Sequence, residues 1–261
     1  MSTLLIVGGG LFGSLAAAYA RSMGIEAMVF DAGLEGSASP AAAGLFKEDW
    51  ARRRKMRPHY LYALPLLERL YDVRQISLMR DDGGRESLLC IPPAAILEPA
   101  PVRRRVTSLG DGWLEADGQR HEGWVYVAAG VWCGSFLPRL NVYGRAGSAF
   151  FFSGERPGRI RQEAGGPQAI AFVRDAGTTY FSDGTAEREH TAEHDRRTLE
   201  RAAEMGLTGP VARLWGNRPY APSGVVFEKI AGRTWLATGG RKMGTILGAS
   251  CARRLVDEEL Q

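Results

Sequence analysis

The chain has 261 residues, 45% of them apolar and 24% charged, with a net charge of +4. That balance is ordinary for a folded soluble protein, and the length admits one large domain or two interleaved ones. No apolar run approaches the ~18–20 residues a bilayer span needs, so a spanning helix is excluded.

The apolar start, Thr3–Val7, is short and runs into glycines. It reads as a strand and not as a signal peptide. The three cysteines, Cys90, Cys133 and Cys251, are odd in number and far apart. This argues against a disulfide framework and against a CxxC metal site. No metal is expected, and a reducing cytoplasm is the expected setting.

In chain order, Leu4–Val7 has the continuous apolar pattern of a buried parallel strand. Leu11–Ser22 is rich in alanine and leucine and predicts a helix, with Gly24 at its C-terminal end. Ala27–Phe30 predicts a second strand ending at Asp31. The Gly/Ala/Ser loop 32–44 follows, then a helix over 58–72 that Pro65 is expected to kink or split. RQISLMR (74–80) and ESLLCI (86–91) predict short strands, and PPAAILEPAP (92–101) a proline-broken connector. Residues 103–130 read as a β meander around GDG and ADGQ turns. SAFFFSG, AIAFVR and TTYFSDG predict further strands, and 191–207 an amphipathic helix capped by Thr191 and stopped by Gly206. The remainder reads strand, glycine turn, helix. The expected class is α/β, with a dinucleotide domain of Rossmann type from 1–56, 100–140 and 224–261. A mostly antiparallel β substrate domain from 57–99 and 141–223 is expected to interleave with it.

Two basic runs stand out: Arg52, Arg53, Arg54, Lys55 and Arg57 in ARRRKMRP, and Arg103, Arg104 and Arg105 in VRRRV. Either run alone reads as a solvated face. Together they make contact with a polyanion such as nucleic acid a hypothesis to carry.

Gly8-x-Gly10-x-x-Gly13 follows an apolar strand, opens a helix and has an acid, Asp31, eighteen residues past Gly13. In that context the pattern predicts dinucleotide binding. The glycines permit a tight turn and close approach of the pyrophosphate. The helix N-terminus at Leu11 and Phe12 offers N–H donors and a positive dipole. Asp31 suits a ribose, which favours FAD or NAD over NADP. Two later features favour FAD. An apolar strand runs onto Ala129-Gly130, and LATGGRKMGTILGAS makes a second glycine turn that opens a helix. Its N-terminus, at Met243, Gly244 and Thr245 with Lys242 beside it, suits the charge of a reduced isoalloxazine.

Four segments resemble the FAD-dependent D-amino-acid oxidase family, glycine oxidase and sarcosine oxidase included. LLIVGGGLFGSLAAAYARSMGIEAMVFD is similar to its dinucleotide motif. SASPAAAGLF, with Ser37, Ala42, Ala43 and Gly44, resembles the loop against the flavin ring. RRVTSL and VYVAAGVWC resemble its inner strands. WGNRPYAPSG with WLATGGRKMGTILGAS resembles its paired C-terminal motifs.

The resemblance implies non-covalent FAD, also touching Ala32, Val106, Trp132 and Gly240. It implies an arginine, here Arg218, that pairs with the carboxylate of an amine substrate. The flavin takes a hydride from the α-carbon, water hydrolyses the imine, and oxygen is the expected electron acceptor, giving peroxide. Pro219 is expected to stiffen the strand end, with Trp215 and Tyr220 screening Arg218 from water.

The sequence departs from the family in three places. The stretch between Asp72 and Val102 is short, which suits a bulkier amine, such as a glycyl-modified DNA base. The tyrosine expected in AIAFVR is replaced by Ile170, leaving Tyr180 or Tyr220 for its role. The last turn carries Gly239-Gly240-Arg241-Lys242. Lys47, just after the loop, is a further candidate beside the ring. His59, His121, His190 and His194 read as ordinary polar residues. An NAD-dependent dehydrogenase and a non-catalytic flavin-binding subunit are the alternatives. The first leaves AAAG, VAAG and GNRP without a purpose.

Overall fold

Strand, glycine turn, helix and strand form where the opening pattern predicts them: β1 (Leu4–Val7), α1 (Leu11–Ser22) and β2 (Ala27–Phe30). The structure is a computed structural model that describes residues 3–162 and 167–260, with the side chains of Trp50 and Ala51 outside the description. β3 (Leu45–Phe46), α2 (Arg57–Leu70), β4 (Arg74–Arg80), β5 (Arg85–Cys90) and the single turn α3 (Pro93–Ile96) come next. The meander is β6 (Val106–Gly110), β7 (Trp113–Ala116) and β8 (Gln119–Glu122), followed by β9 (Trp124–Val127) and the short α4 (Cys133–Phe136). β10 (Tyr143–Ser153), β11 (Arg159–Gln162), β12 (Gln168–Asp175) and β13 (Thr178–Ser182) lead to α5 (Ala192–Glu204). β14 (Pro210–Tyr220), β15 (Val226–Ala231), β16 (Thr234–Thr238) and α6 (Gly244–Arg254) complete the order.

The strands sort into three sheets. The first runs β15-β16-β9-β1-β2, parallel except for β15. It is built from sequence-distant strands, because a parallel neighbour must be reached by a crossover. Leu4, Ile6, Trp235 and Ala237 pack one face against α1 and α6, while Leu5, Val7, Val125 and Leu236 pack the other against the meander and α4. Burying one such aliphatic side chain is worth roughly 1.5–3 kcal/mol, so both faces fix the register. The second sheet runs β14-β10-β13-β12-β11-β4-β5-β3, and the meander forms the third. This is the mixed α/β architecture that the pattern predicts.

Pro65 does not split α2, which runs unbroken from Arg57 to Leu70. Pro65 and Leu61, whose carbonyl loses its partner there, both lie on the exposed side, where water can satisfy that carbonyl. The segment expected to hold only a strand end at Pro219 is an eleven-residue strand, β14, paired along β10. It is an edge strand, the position in which a sheet tolerates proline. Thr191 caps α5 by accepting the His194 N–H at 3.1 Å. No helix among the described residues is long and apolar enough to cross a membrane.

Candidate active site

The turn after β1 closes so tightly that a Cβ on Gly13 would lie 1.9 Å from the Gly8 carbonyl oxygen. This contact brings the N-terminus of α1 against the carboxyl ends of β1 and β9. A cavity of about 650 Å³ opens there, lined by Gly8, Gly10, Leu11 and Phe12. Gly13 is packed beneath it. Asp31 also lines the cavity, and its carboxylate accepts the N–H groups of Gly9 and Gly33, both at 2.6 Å. Ala32 and Val106 flank it, with Arg104 and Arg105. Arg103 lies 3.4 Å from Asp31 and Arg104 lies 3.5 Å from Asp117. Two of the three arginines of this run are therefore paired within the chain.

The loop 32–44 forms a second wall through Ser37, Ala42, Ala43 and Gly44. Its anchors were not visible in the sequence. Ser39 Oγ accepts the Leu11 N–H at 2.9 Å. Arg174, only 6% exposed, donates to the carbonyls of Pro40 and Ala42 at 3.0 and 2.9 Å. Tyr180 donates to the Ala41 carbonyl at 3.0 Å. Three successive carbonyls are thus held by two side chains of the second sheet. Lys47 lines the cavity beyond the loop and is paired with Glu86.

Ala129, Gly130 and Trp132, after β9, and Gly240, Lys242, Gly244 and Thr245, before and in α6, supply the third wall. Thr238 Oγ1 donates to the Gly130 carbonyl at 2.8 Å, which ties these two turns together. Met243 packs into the core below α6 and does not line the cavity. None of the three cysteines lines it either, and all are buried. Burial pushes the Cys133 and Cys251 thiols up to about 12.

Arg218 lines the cavity from β14 together with Ile170, Tyr180 and Ser182. Its guanidinium lies against Gly147 of β10, where a Cβ would be 2.6 Å from Nη2, and Nη1 donates to the Thr185 carbonyl at 2.8 Å. Lys242 Nζ donates to the Gly184 carbonyl at 2.6 Å. Burial holds the Lys242 ammonium below the ordinary lysine range, Arg218 lowers it further, and Asp183 opposes both. Among the described residues, no carboxylate forms an ion pair with Arg218 or Lys242. Two cations therefore share one end of the cavity without a countercharge bonded to either.

The expected screen over Arg218 is not formed by Trp215 and Tyr220. Side chains alternate along β14, so Trp215 points to the opposite face. There it stacks on His190 at 4.6 Å and covers Gly36. Tyr220 shares the face of Arg218 but stacks on Tyr143 at 5.6 Å, beside Arg145 and Arg241, and does not line the cavity. His190 and His194 are also more than surface polar groups. His190 lies 3.0 Å from Asp195, and His194 is 1% exposed.

A dinucleotide fits these residues. The glycine turn leaves no side chain between the N-terminus of α1 and the cavity, an acid stands at the end of β2, and a second helix N-terminus opens at Gly244.

No protein-family model matches the sequence, and no curated protein matches it at sequence level. Solved structures do match in fold. Iminodiacetate oxidase from Chelativorans sp. BNC1 superposes with a TM-score of 0.71 at 16% identity, over 97% of this chain and 94% of that one. Glycine oxidase from Bacillus cereus ATCC 14579 gives 0.71 at 15% identity, over 98% and 94%. An FAD-dependent oxidoreductase from Pseudomonas aeruginosa gives 0.68 at 15% identity, over 100% and 92%. The chain has the fold of the FAD-dependent amine and amino-acid oxidoreductases.

Proposed function

We propose that the protein is an FAD-dependent oxidoreductase that cleaves the C–N bond of an amine bearing a carboxylate on its α-carbon. An N-substituted glycine is the favoured substrate class. The observation that carries this reading is Arg218, a cation without an ionic partner among the described residues, in the same cavity as the dinucleotide turn. A planar guanidinium can take a carboxylate bidentately and orient the neighbouring carbon. Bound FAD supplies the hydride acceptor. The balanced reaction converts R–NH–CH2–COO⁻, water and oxygen into R–NH2, glyoxylate and hydrogen peroxide.

Gly8, Gly10, Leu11, Phe12 and Asp31 would hold the dinucleotide's phosphates and ribose. Ser37, Ala42, Ala43, Gly44, Ala129, Gly130, Gly240, Gly244 and Thr245 would surround the ring. Lys242 would add positive charge beside the carboxylate, while the Tyr180 hydroxyl gives its one proton to the Ala41 carbonyl and so would hold the loop rather than the substrate. The solved relatives support the class. The names of two of them specify glycine and iminodiacetate, and iminodiacetate is itself a glycine carrying a carboxymethyl group on nitrogen.

One observation favours a large anionic carrier for the amine. Arg52, Arg54, Lys55 and Arg57 are exposed, and no carboxylate among the described residues pairs with them. A glycyl-modified DNA base would combine the α-carboxylate with phosphates for this run, and its binding would weaken with salt. The test is a peroxide-detecting screen of the purified protein. It should cover glycine, sarcosine, iminodiacetate, D-amino acids, bulkier N-substituted glycines and glycyl-modified DNA. A yellow protein that turns over at least one carboxylate-bearing amine is expected. A colourless preparation that takes up no FAD would overturn the reading and favour a nicotinamide enzyme. Good turnover of free sarcosine with none of the DNA-borne amine would remove the nucleic-acid carrier.

Gly147 gives a second check. Gly147→Ala places a methyl where the guanidinium now lies. The obstacle is the far end of a flexible side chain, so the fold should survive and Arg218 should move. Such a displacement is expected to raise KM for the amine by roughly ten- to hundredfold at a nearly unchanged melting temperature.

A further inference from the structure

The two cations at the cavity are held by carbonyls of consecutive residues, Gly184 for Lys242 and Thr185 for Arg218. These residues form the turn between β13 and the α5 segment, and that turn is built on one buried carboxylate. Asp183 is 1% exposed. Its Oδ1 accepts both the backbone N–H of Thr185, at 3.0 Å, and the Thr185 hydroxyl, at 2.6 Å. Its Oδ2 lies 3.2 Å from the Thr198 hydroxyl of α5, which also lies 3.0 Å from the His194 carbonyl, and 3.5 Å from Arg201 Nη1. Thr185 Oγ1 also lies 2.7 Å from His194 Nε2. The hydroxyl has one proton and gives it to Asp183, so it accepts from Nε2–H. That tautomer leaves Nδ1 as a bare lone pair, and Nδ1 is indeed the buried His194 atom without a partner.

We infer that Asp183 is a positioning residue: through Thr185 and Gly184 it sets where Arg218 and Lys242 stand in the cavity. The inference rests on the reading of those cations as the anion site, and adds the device that aims them. A buried carboxylate that uses both oxygens on one turn and one helix leaves that turn little freedom. Its two outward carbonyls then fix both cations together. Asp183 also supplies a negative charge that acts on Lys242. The charges facing Lys242 are Arg218 from β14 and Asp183 from the turn. Burial and Arg218 lower the ammonium, and Asp183 raises it. Removing the Asp183 charge therefore lowers it further, so affinity for an anion is lost at a lower pH than in the wild type.

The test uses the FAD-loaded protein, its Asp183→Asn and Thr185→Val variants, and glycolate as the probe, titrated by calorimetry across pH. Asp183→Asn is expected to keep the wild-type circular dichroism and flavin content. It should bind glycolate about tenfold more weakly, the scale of one charge-assisted hydrogen bond, and lose it at lower pH. In a Lys242→Met background Asp183→Asn should no longer move that pH. Thr185→Val removes only the hydroxyl that ties the turn to Asp183 and His194, and should weaken glycolate in the same direction. Wild-type affinity and pH dependence in either folded variant would overturn the inference. So would a shift that persists without Lys242. Direct NMR titration of Lys242 needs no ligand. Its midpoint falls in Asp183→Asn if the inference holds and stays put if it does not, even where glycolate binds neither protein and the functional reading itself fails.

Discussion

Arg218→Ala is expected to keep its FAD and lose kcat/KM for a carboxylate-bearing amine by roughly two to three orders of magnitude, the scale of removing one member of a desolvated charge pair. The loss should depend on the carboxylate. An amine without one has nothing to give Arg218, so the ratio of activities on the two kinds of amine should collapse in the variant. Arg218→Lys should recover only part of the loss, because an ammonium keeps the charge without the planar fork. Steady-state kinetics on matched amines with and without the α-carboxylate, together with flavin absorbance of the purified variant, provide the check. A variant with wild-type turnover would assign Arg218 to the fold and support a non-catalytic flavin subunit. Its one hydrogen bond from Nη1, to the Thr185 carbonyl, is the contact such a role would use.

The second large effect belongs to the dinucleotide turn. Gly13→Ala would place a methyl 1.9 Å from the Gly8 carbonyl oxygen and 3.0 Å from Ile6 Cγ2. The first obstacle is backbone in the turn itself, so relief requires the turn to open. Overpacking of this kind costs roughly 1–3 kcal/mol or more, and about 2–4 °C of melting temperature follow from each kcal/mol at this chain length. The expected product is a destabilised protein that purifies without flavin. A yellow Gly13→Ala protein with the wild-type melting temperature would show that the turn does not serve the cofactor.

What the sequence made legible was local. The spacing of Gly8, Gly10 and Gly13 before an alanine-rich helix encodes a turn within ten residues, and that turn is present. Thr191 sits just ahead of an amphipathic stretch and caps it. The loop 37–44, the Ala129-Gly130 turn and the Gly240–Thr245 turn were each recognisable as short patterns, and all three line one cavity.

What stayed hidden depends on register and long-range contact. Arg174 reads as a polar end to the strand AIAFVR. Only the fold shows it buried between Phe151 and Tyr180 and bonded to the loop more than 130 residues earlier. Trp215 and Tyr220 lie within three residues of Arg218, and proximity in sequence suggested a shared pocket. The alternation of β14 sends one to the far face, and stacking on Tyr143 draws the other aside. Gly147 and Asp183 carry no motif. Their roles exist because β10 pairs with β14 and because the turn after β13 meets the last glycine turn.

In the proposed reaction an amine is held by its carboxylate at Arg218 beside the flavin. The most direct measurement is anaerobic mixing of the purified yellow protein with iminodiacetate and bulkier N-substituted glycines, following the flavin's visible absorption. Bleaching is expected with at least one of these carboxylates, none with the matching amine that lacks the carboxylate, and loss of the bleaching in Arg218→Ala. A flavin that bleaches equally with and without the carboxylate, or that no carboxylate-bearing amine bleaches, would contradict it.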